Sequence, residues 1–437
     1  IKFGLIGPNG SPMGWSGVSG AEVRDDLIVL DTPEAELVFT GVPSRPVASL
    51  LREFSAPVIV ESTASQEDRL FLARHDSDPF NRWQALQDVG MELVLGAVRG
   101  EPADAAAIAA LNQAMADTLA SKTLDHAFKA LALSLPDEGQ IGRALGRDVD
   151  PDKIHAAREH LLRAVFEPLA LDLLNAYRAL DSHAPYAPDP ASTGRRALRN
   201  RALGLLVASG ASGAATLAAQ QYAGANNMTD RLAALSVSAL AGTPKAPVML
   251  ADFRASFGGD PLVLDKWLAV TASAPRDGVI AEMQAILADP AFPRTNPNRL
   301  RSLVGTFAMS NPTQFCRADG AGFRFVAGSS SASSEDAGWR LRASLASAID
   351  ASRAAMMSIT FGFSAAASGT SNSSPSAFIW ISAMTSSRYS SWYFSGSKSP
   401  ARDSTSDSAI LISLALTSMS SRPSSSSMSA GSTTSSA

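Results

Sequence analysis

The chain has 437 residues, 46% of them hydrophobic, with a formal net charge of -4. That length carries two or three domains and a large core, and the charge leaves no basic footprint for nucleic acid or for an anionic membrane surface. A single cysteine, Cys316, has no internal disulfide partner, which fits a reducing compartment, and its expected role is a small buried or half-buried thiol. The apolar runs "FIWISAM" and "AILISLAL" are too short to span a bilayer as helices.

Residues 1–60 read as strands. "IKFGLIG" is a short extended run closed by the turn residues Pro8, Asn9 and Gly10. "DDLIVL" and "AELVFTGV" follow, and Pro43, Pro46 and Pro57 punctuate a further extended stretch. Three or four strands with proline-rich joins predict part of a β-sandwich. Asp25 and Asp26 read as a solvated turn. "GPNGSPMGWSGVSG" is glycine-rich but has neither a following helix nor a P-loop lysine, so it reads as a loop between strands.

Residues 61–327 read as helices. The recurring start signal is Asp or Asn before proline: Asp78-Pro79, Asp150-Pro151, Asp260-Pro261, Asn296-Pro297 and Asn311-Pro312. The side-chain oxygen accepts an orphan backbone N–H at the helix start, and proline follows where no N–H is needed. In "NPNRLRSLVGTF", Leu300, Leu303, Val304 and Phe307 share one helical face, with Arg299 and Arg301 off it. Leu232, Leu235 and Leu240 form a second stripe, which Gly242 can terminate. Short helices with short joins predict an irregular α-α array of stacked helix pairs.

Chemistry-bearing motifs are sparse. The histidines are His75, His126, His155, His160 and His183. "HAAREH" sets His155 and His160 five apart, whereas a helical zinc site needs them four apart on one line, so both read as surface or boundary residues. Trp83 and Trp267 read as core residues. The expectation is no catalytic residue, no metal ligand and no cofactor-binding residue in this chain.

Several blocks, however, are distinctive: "RPVASLLREFSAPV", "LARHDSDPFNRWQALQ", "RALRNRAL", "ANNMTDRLAALS", "DKWLAVTASAP" and "NPNRLRSLVGTFAMSNPTQFCRADGAGFRF". In order and spacing they resemble the C-terminal portion of bacterial aminopeptidase N, a zinc-dependent alanyl aminopeptidase of the cytoplasm. The likeness runs to about Ala327. It implies three parts: the end of an immunoglobulin-like β-domain at 1–60, a truncated helical domain at 61–327 that caps the active-site chamber, and a tail. In that family the zinc site lies upstream, and peptides are the substrates. The resemblance therefore implies a fragment that is inactive alone, with the missing catalytic domain as its partner and no nucleic-acid or membrane partner. Arg299 and Arg301 match arginines of a shared block and are expected to be structural or, at most, to line the chamber. The first residue being Ile1 rather than Met also suggests a fragment. The rival reading is a free-standing helical-repeat scaffold that binds a peptide or protein.

From Gly328 the composition changes, with about a third of the residues serine, far above ordinary usage. Residues 328–437 read as a low-complexity tail, either disordered or translated out of frame. The loss of pattern inside a family block favours a lost reading frame. An array cut short in this way leaves an apolar end face without its cap.

Overall fold

The computed structural model describes residues 1–331 except 32, 33, 63, 183 and 295, together with strands at 377–385, 388–398 and 410–418. The chain divides into two compact units, residues 1–81 with 368–437, and residues 82–367.

In the first unit, β1 (Phe3–Ile6), β2 (Gly17–Ser19), β3 (Glu22–Arg24), β4 (Leu27–Val29), β5 (Glu34–Thr40), β6 (Val47–Leu50) and β7 (Val58–Ser62) precede the helices. β1 pairs antiparallel with β6, Phe3 opposite Leu50, and β3 pairs with β4 around the exposed turn Asp25-Asp26. The expected strands are all present. β2 and β3 are additional: β2 lies in the glycine-rich stretch read as a loop and β3 just after it, and three residues are too few to show an alternation. Phe3, Leu5, Ile28, Ala35, Leu37, Phe39 and Val42 form the core, with Trp15 against Phe3 and Phe39 at ring distances of 5.2 and 5.3 Å.

Three strands of the serine-rich segment join this unit: β8 (Ala377–Thr385), β9 (Arg388–Lys398) and β10 (Ile410–Ser418). They fall between β5 and β7 in a six-stranded antiparallel sheet of order β2-β5-β10-β9-β8-β7, with Leu37 opposite Ile412. The apolar runs too short to span a membrane thus lie within β8 and β10. The sequence there keeps no steady period, so pairing with distant strands, not local pattern, defines these elements. The remainder of the tail reading lies outside the described residues.

α1 (Gln66–His75) and the start of α2 (Pro79–Arg99) also belong to the first unit. The join between β6 and β7 is strained: Leu51, Glu53 and Phe54 all take positive φ, near +55°. It is held from below by the Glu53 amide on Asp78 Oδ2 at 2.7 Å and by Asn81 Nδ2, which donates to Ser49 Oγ and to the Leu50 carbonyl, each at 2.8 Å.

The second unit is helical: α3 (Ala105–Ala120), α4 (His126–Ala132), α5 (Glu138–Leu145), α6 (Pro151–Phe166), α7 (Ala170–Ala179), α8 (Pro190–Ala208), α9 (Ala214–Gly224), α10 (Met228–Leu240), α11 (Ala246–Phe257), α12 (Pro261–Ser273) and α13 (Val279–Ala288). A continuous run follows of α14 (Pro297–Leu300), a π-helical turn at Arg301–Gly305 and α15 (Thr306–Ser310), then α16 (Pro312–Phe315) and α17 (Ala321–Ser331). Helices pack against near neighbours in the chain, such as α7 on α8 and α9 on α10, and against more distant ones, with α4 on α8 the most extensive pair. This is the expected stacked array.

Four of the five Asx-Pro starts cap as predicted. Asp78, Asp150, Asp260 and Asn296 each accept a backbone N–H from the first turn, at 2.8–3.2 Å. Asp189-Pro190, not among those five, also caps: Asp189 accepts from Ser192 N at 3.0 Å. Asn311 departs from the rule. It is 1% exposed and makes no cap bond; its amide instead donates to the carbonyls of Ala272 and Ala274, both at 2.9 Å. Those two carbonyls lie at the C-terminal end of α12, where the chain leaves the helix; Ala274 also accepts from Arg276 N at 2.9 Å, whereas Ala272 is left with the Asn311 amide.

Leu300, Leu303, Val304 and Phe307 are all buried, as their spacing predicts. Leu240 is not; Ala234, Leu235, Ser238 and Ala239 carry the buried face of α10 instead, because the stripe as read placed Leu240 one position too far round. Gly242 closes α10 with φ +61° and the bond from Thr243 N to the Ser238 carbonyl at 2.9 Å.

At the α15–α17 end, Phe307 meets Phe315 and Phe325 edge to face, and Phe315 meets Phe323 at 4.6 Å between ring centroids. Met309 and Phe323 on this end are 74% and 49% exposed. No helix among the described residues is long and apolar enough to cross a membrane.

Candidate functional site

The residues singled out in the sequence fall into three places in the helical unit. Arg299 lies on α14, one residue after the turn in which Asn296 caps the helix, and it is buried. Its guanidinium forms an ion pair with Asp265 of α12, in the "DKWLAVTASAP" block. Arg301 opens the π turn, is exposed, and donates from Nη1 to Asn298 Oδ1 at 3.0 Å. Two arginines two residues apart thus have different surroundings: one is enclosed with a carboxylate, the other faces solvent. A π turn inserts one residue into the helical ladder and is often found at functional positions. Nothing in the sequence identifies Asp265 as the partner, because the pair is separated by a full helix and its loops.

The second place is the "ANNMTDRLAALS" block. Asn227 caps α10 on Asp230 N at 3.0 Å and donates from Nδ2 to Asp230 Oδ2 at 2.9 Å. Asn200 of α8 donates to the other Asp230 oxygen at 2.8 Å, and Gln221 of α9 donates to Asn200 Oδ1 at 2.7 Å and to the Asp230 carbonyl at 2.9 Å. Three helices are therefore tied by one buried carboxylate whose oxygens are both occupied, which makes this block architectural. Beside it, Tyr222 donates to Asp252 Oδ2 at 2.6 Å; burial, and then that carboxylate, push its phenol far above the ordinary tyrosine value.

The third is the histidine helix. His155 Nδ1 lies 2.7 Å from Glu138 Oε1, and this hydrogen bond raises the imidazole pKa against the opposing effect of burial. His160 is exposed and does not join it. His75 and His126 are exposed, and His183 lies outside the described residues. Among the described residues no group of three or more His, Cys, Asp or Glu could hold a metal ion. Trp267 is buried and donates to the Leu250 carbonyl at 2.9 Å; Trp83 is half-buried.

Cys316 corrects its expectation: it is exposed, at the end of α16. It occupies the position after α16, whose last helical residue, Phe315, is the one that packs against Phe307 and Phe323. Partial desolvation of the thiol and the nearby Asp152 carboxylate raise its pKa, which disfavours the nucleophilic thiolate.

This geometry defines a class: a helical-repeat array preceded by an immunoglobulin-like β region, with its polar residues engaged in holding helices together. The comparisons with known proteins narrow it. A family described as a domain of unknown function with ARM repeats, DUF3458_C, matches residues 66–329, and one described as a domain of unknown function with an Ig-like fold, DUF3458, matches residues 1–63. The chain belongs to the DUF3458_C family. It is similar to aminopeptidase N of Caulobacter vibrioides, 35% identical over 317 residues, which are 72% of this chain and 36% of that protein. The Haemophilus influenzae aminopeptidase N is 33% identical over 328 residues, 75% of this chain and 37% of the relative. The chain thus spans about a third of the length of these relatives. A Legionella pneumophila aminopeptidase A, solved in complex with aspartic acid, shares the fold with a TM-score of 0.66 at 21% identity, over 82% of this chain and 43% of that one. The resemblance to bacterial aminopeptidase N read from the sequence is borne out.

Proposed function

We propose that this chain is the non-catalytic C-terminal portion of a zinc aminopeptidase that removes N-terminal residues from peptides in the cytoplasm. The supporting observation is the 317-residue match to an aminopeptidase N, which takes in residues of an Ig-like region and an ARM-repeat array but only 36% of the relative. In this reading residues 1–60 are the end of the β-domain and residues 61–327 form the cap over the peptide chamber. Zinc, the catalytic groups and their domain are supplied from upstream. Arg299 serves the packing of the cap through Asp265, and Arg301 is the one of the pair placed to meet a peptide. Residues 328–437 are translated from a frame other than that of the blocks before them; strand pairing of β8–β10 asks only for apolar and β-branched content, which any reading frame can supply.

The test is hydrolysis of alanyl-p-nitroanilide. The chain with added zinc is expected to show no turnover above background, and a polypeptide carrying the upstream two thirds of a relative is expected to gain activity when the chain is added. Turnover by the chain alone would overturn the reading. For the tail, the gene translated with its frame shifted after codon 327 is expected to continue the family's helices.

A further inference from the structure

Between α13 and α16–α17 lies a cavity of about 450 Å³, within the ordinary range for small-molecule sites. One wall is apolar: Ile280, Ala281, Ala321 and Phe325. The other carries Gln284, Gln314, Arg317 and Arg324. The hydrogen bonds already made by these four groups decide what the cavity can take.

Arg317 is engaged. Its Nε and Nη2 meet the two Asp319 oxygens at 3.3 and 3.0 Å, and its Nη1 donates to Gln314 Oε1 at 3.3 Å and pairs with the exposed Asp277 carboxylate at 3.9 Å. The Asp319 carboxylate is in turn occupied, since it also caps α17 on Ala321 N at 2.9 Å. Arg324 differs. Its Nη1 donates to the Asp319 backbone carbonyl at 2.8 Å, so its hydrogen-bond anchor is a neutral acceptor, and it feels the Asp319 carboxylate only through space. The Gln314 oxygen is taken by Arg317, which leaves that side chain its NH₂ as the group to offer. The polar wall therefore presents donors: the open edge of a guanidinium and a primary amide, with Gln284 able to add a second. A donor-rich wall opposite an apolar one fits an anion with an apolar substituent, and a guanidinium edge matches a carboxylate geometrically.

We propose that this cavity binds a carboxylate bearing an apolar side chain, as at the C-terminus of a peptide, with Arg324 as the residue that holds the carboxylate and the Ile280–Phe325 wall as the seat of the side chain. Gly322 helps to build it. A Cβ there would collide with the backbone of Gln314 and Phe315, so only glycine lets α17 lie this close to α16. The site does not include Arg299 or Arg301, and the proposal does not depend on the aminopeptidase reading.

Ligand-detected saturation-transfer NMR on the full chain tests it with N-acetyl-leucine and N-acetyl-leucinamide, which differ only in the charged group. The acid is expected to bind at about millimolar strength and the amide about tenfold more weakly. Arg324→Gln should bring the acid down to the level of the amide, Arg324→Lys should keep part of the difference, and added salt should narrow it. Arg324 is exposed, so neither change disturbs a core, and circular dichroism confirms that the variants fold. Equal binding of acid and amide, no transfer from the acid at about 10 mM, or an unchanged acid affinity in Arg324→Gln would each overturn the proposal.

Discussion

The β unit and the helical unit obtain their structure at different distances along the chain. In the helices, the instruction that forms each element is local: a cap residue, a proline and an apolar stripe lie within a dozen positions, although packing also joins helices distant in the chain, as α4 with α8. In the β unit, Phe3 pairs with Leu50 and Leu37 with Ile412. Its core of seven buried residues is assembled from four separate strand and loop segments. The comparison teaches that pattern alone specifies elements whose backbone hydrogen bonds close within a turn, and that closing a sheet over long loops costs entropy which only the finished contacts offset.

The sharpest way to probe the contrast is to remove a fully buried ring from each unit. Phe307→Ala and Phe39→Ala should each cost about 3–5 kcal/mol in urea unfolding. In the small β core that loss is large against the total stability of a domain, so Phe39→Ala should abolish the β transition while the helical signal persists. A Phe307→Ala variant as stable as the parent would break the comparison, because it would remove the aromatic cluster from the core of the array.

The Arg299–Asp265 pair is the next largest effect. It joins two helices that are separated in the chain by α13 and its loops. Arg299→Ala should cost about 3 kcal/mol by leaving Asp265 without its partner, whereas Arg299→Met with Asp265→Leu should recover most of it. Similar losses in the single and double variants would mean that packing of the arginine stem, rather than charge, sets the cost.

The cap residues make a finer test. Asp260→Ala should cost about 1 kcal/mol, as an exposed helix start does. Asn311→Ala should cost more, about 1–3 kcal/mol, because it strands the buried Ala272 carbonyl at the end of α12 and removes one of the two donors to that of Ala274. Equal costs would show that Asn311 acts as an ordinary cap after all.

The smallest effect is the pH dependence of His155. Its folded pKa lies above the unfolded value through the bond to Glu138. The stabilisation is therefore complete below about pH 6.5 and is lost as pH rises through the folded pKa. The ring is 36% exposed, so solvent screening keeps the effect under about 1 kcal/mol. The urea midpoint should fall slightly between pH 5.5 and pH 8.5, and His155→Gln should flatten that slope.

Much of the fold was legible because its signals are short-range. Four Asx-Pro caps, the buried stripe from Leu300 to Phe307 and the terminating Gly242 can each be read from fewer than a dozen residues. The strands β1, β4 and β5 announce themselves by apolar and β-branched content. β2 and β3 do not, since three-residue strands carry too few positions for a period. The partner of Arg299, the diversion of Asn311 to α12 and the donor wall around Arg324 leave no trace in the sequence, because each joins residues from separate elements.

By itself, then, the amino-acid order determined where helices begin and end, which faces they bury and which family they resemble; these depend on backbone groups and side chains within one or two turns of each other. Only the tertiary structure decided which polar groups are spent on packing and which remain free. Asn311 looks like a cap and is a clamp, and Arg317 and Arg324 look alike but differ in whether a carboxylate or a carbonyl holds them. Hydrogen-bond satisfaction is a property of three-dimensional neighbours, and no local pattern encodes it.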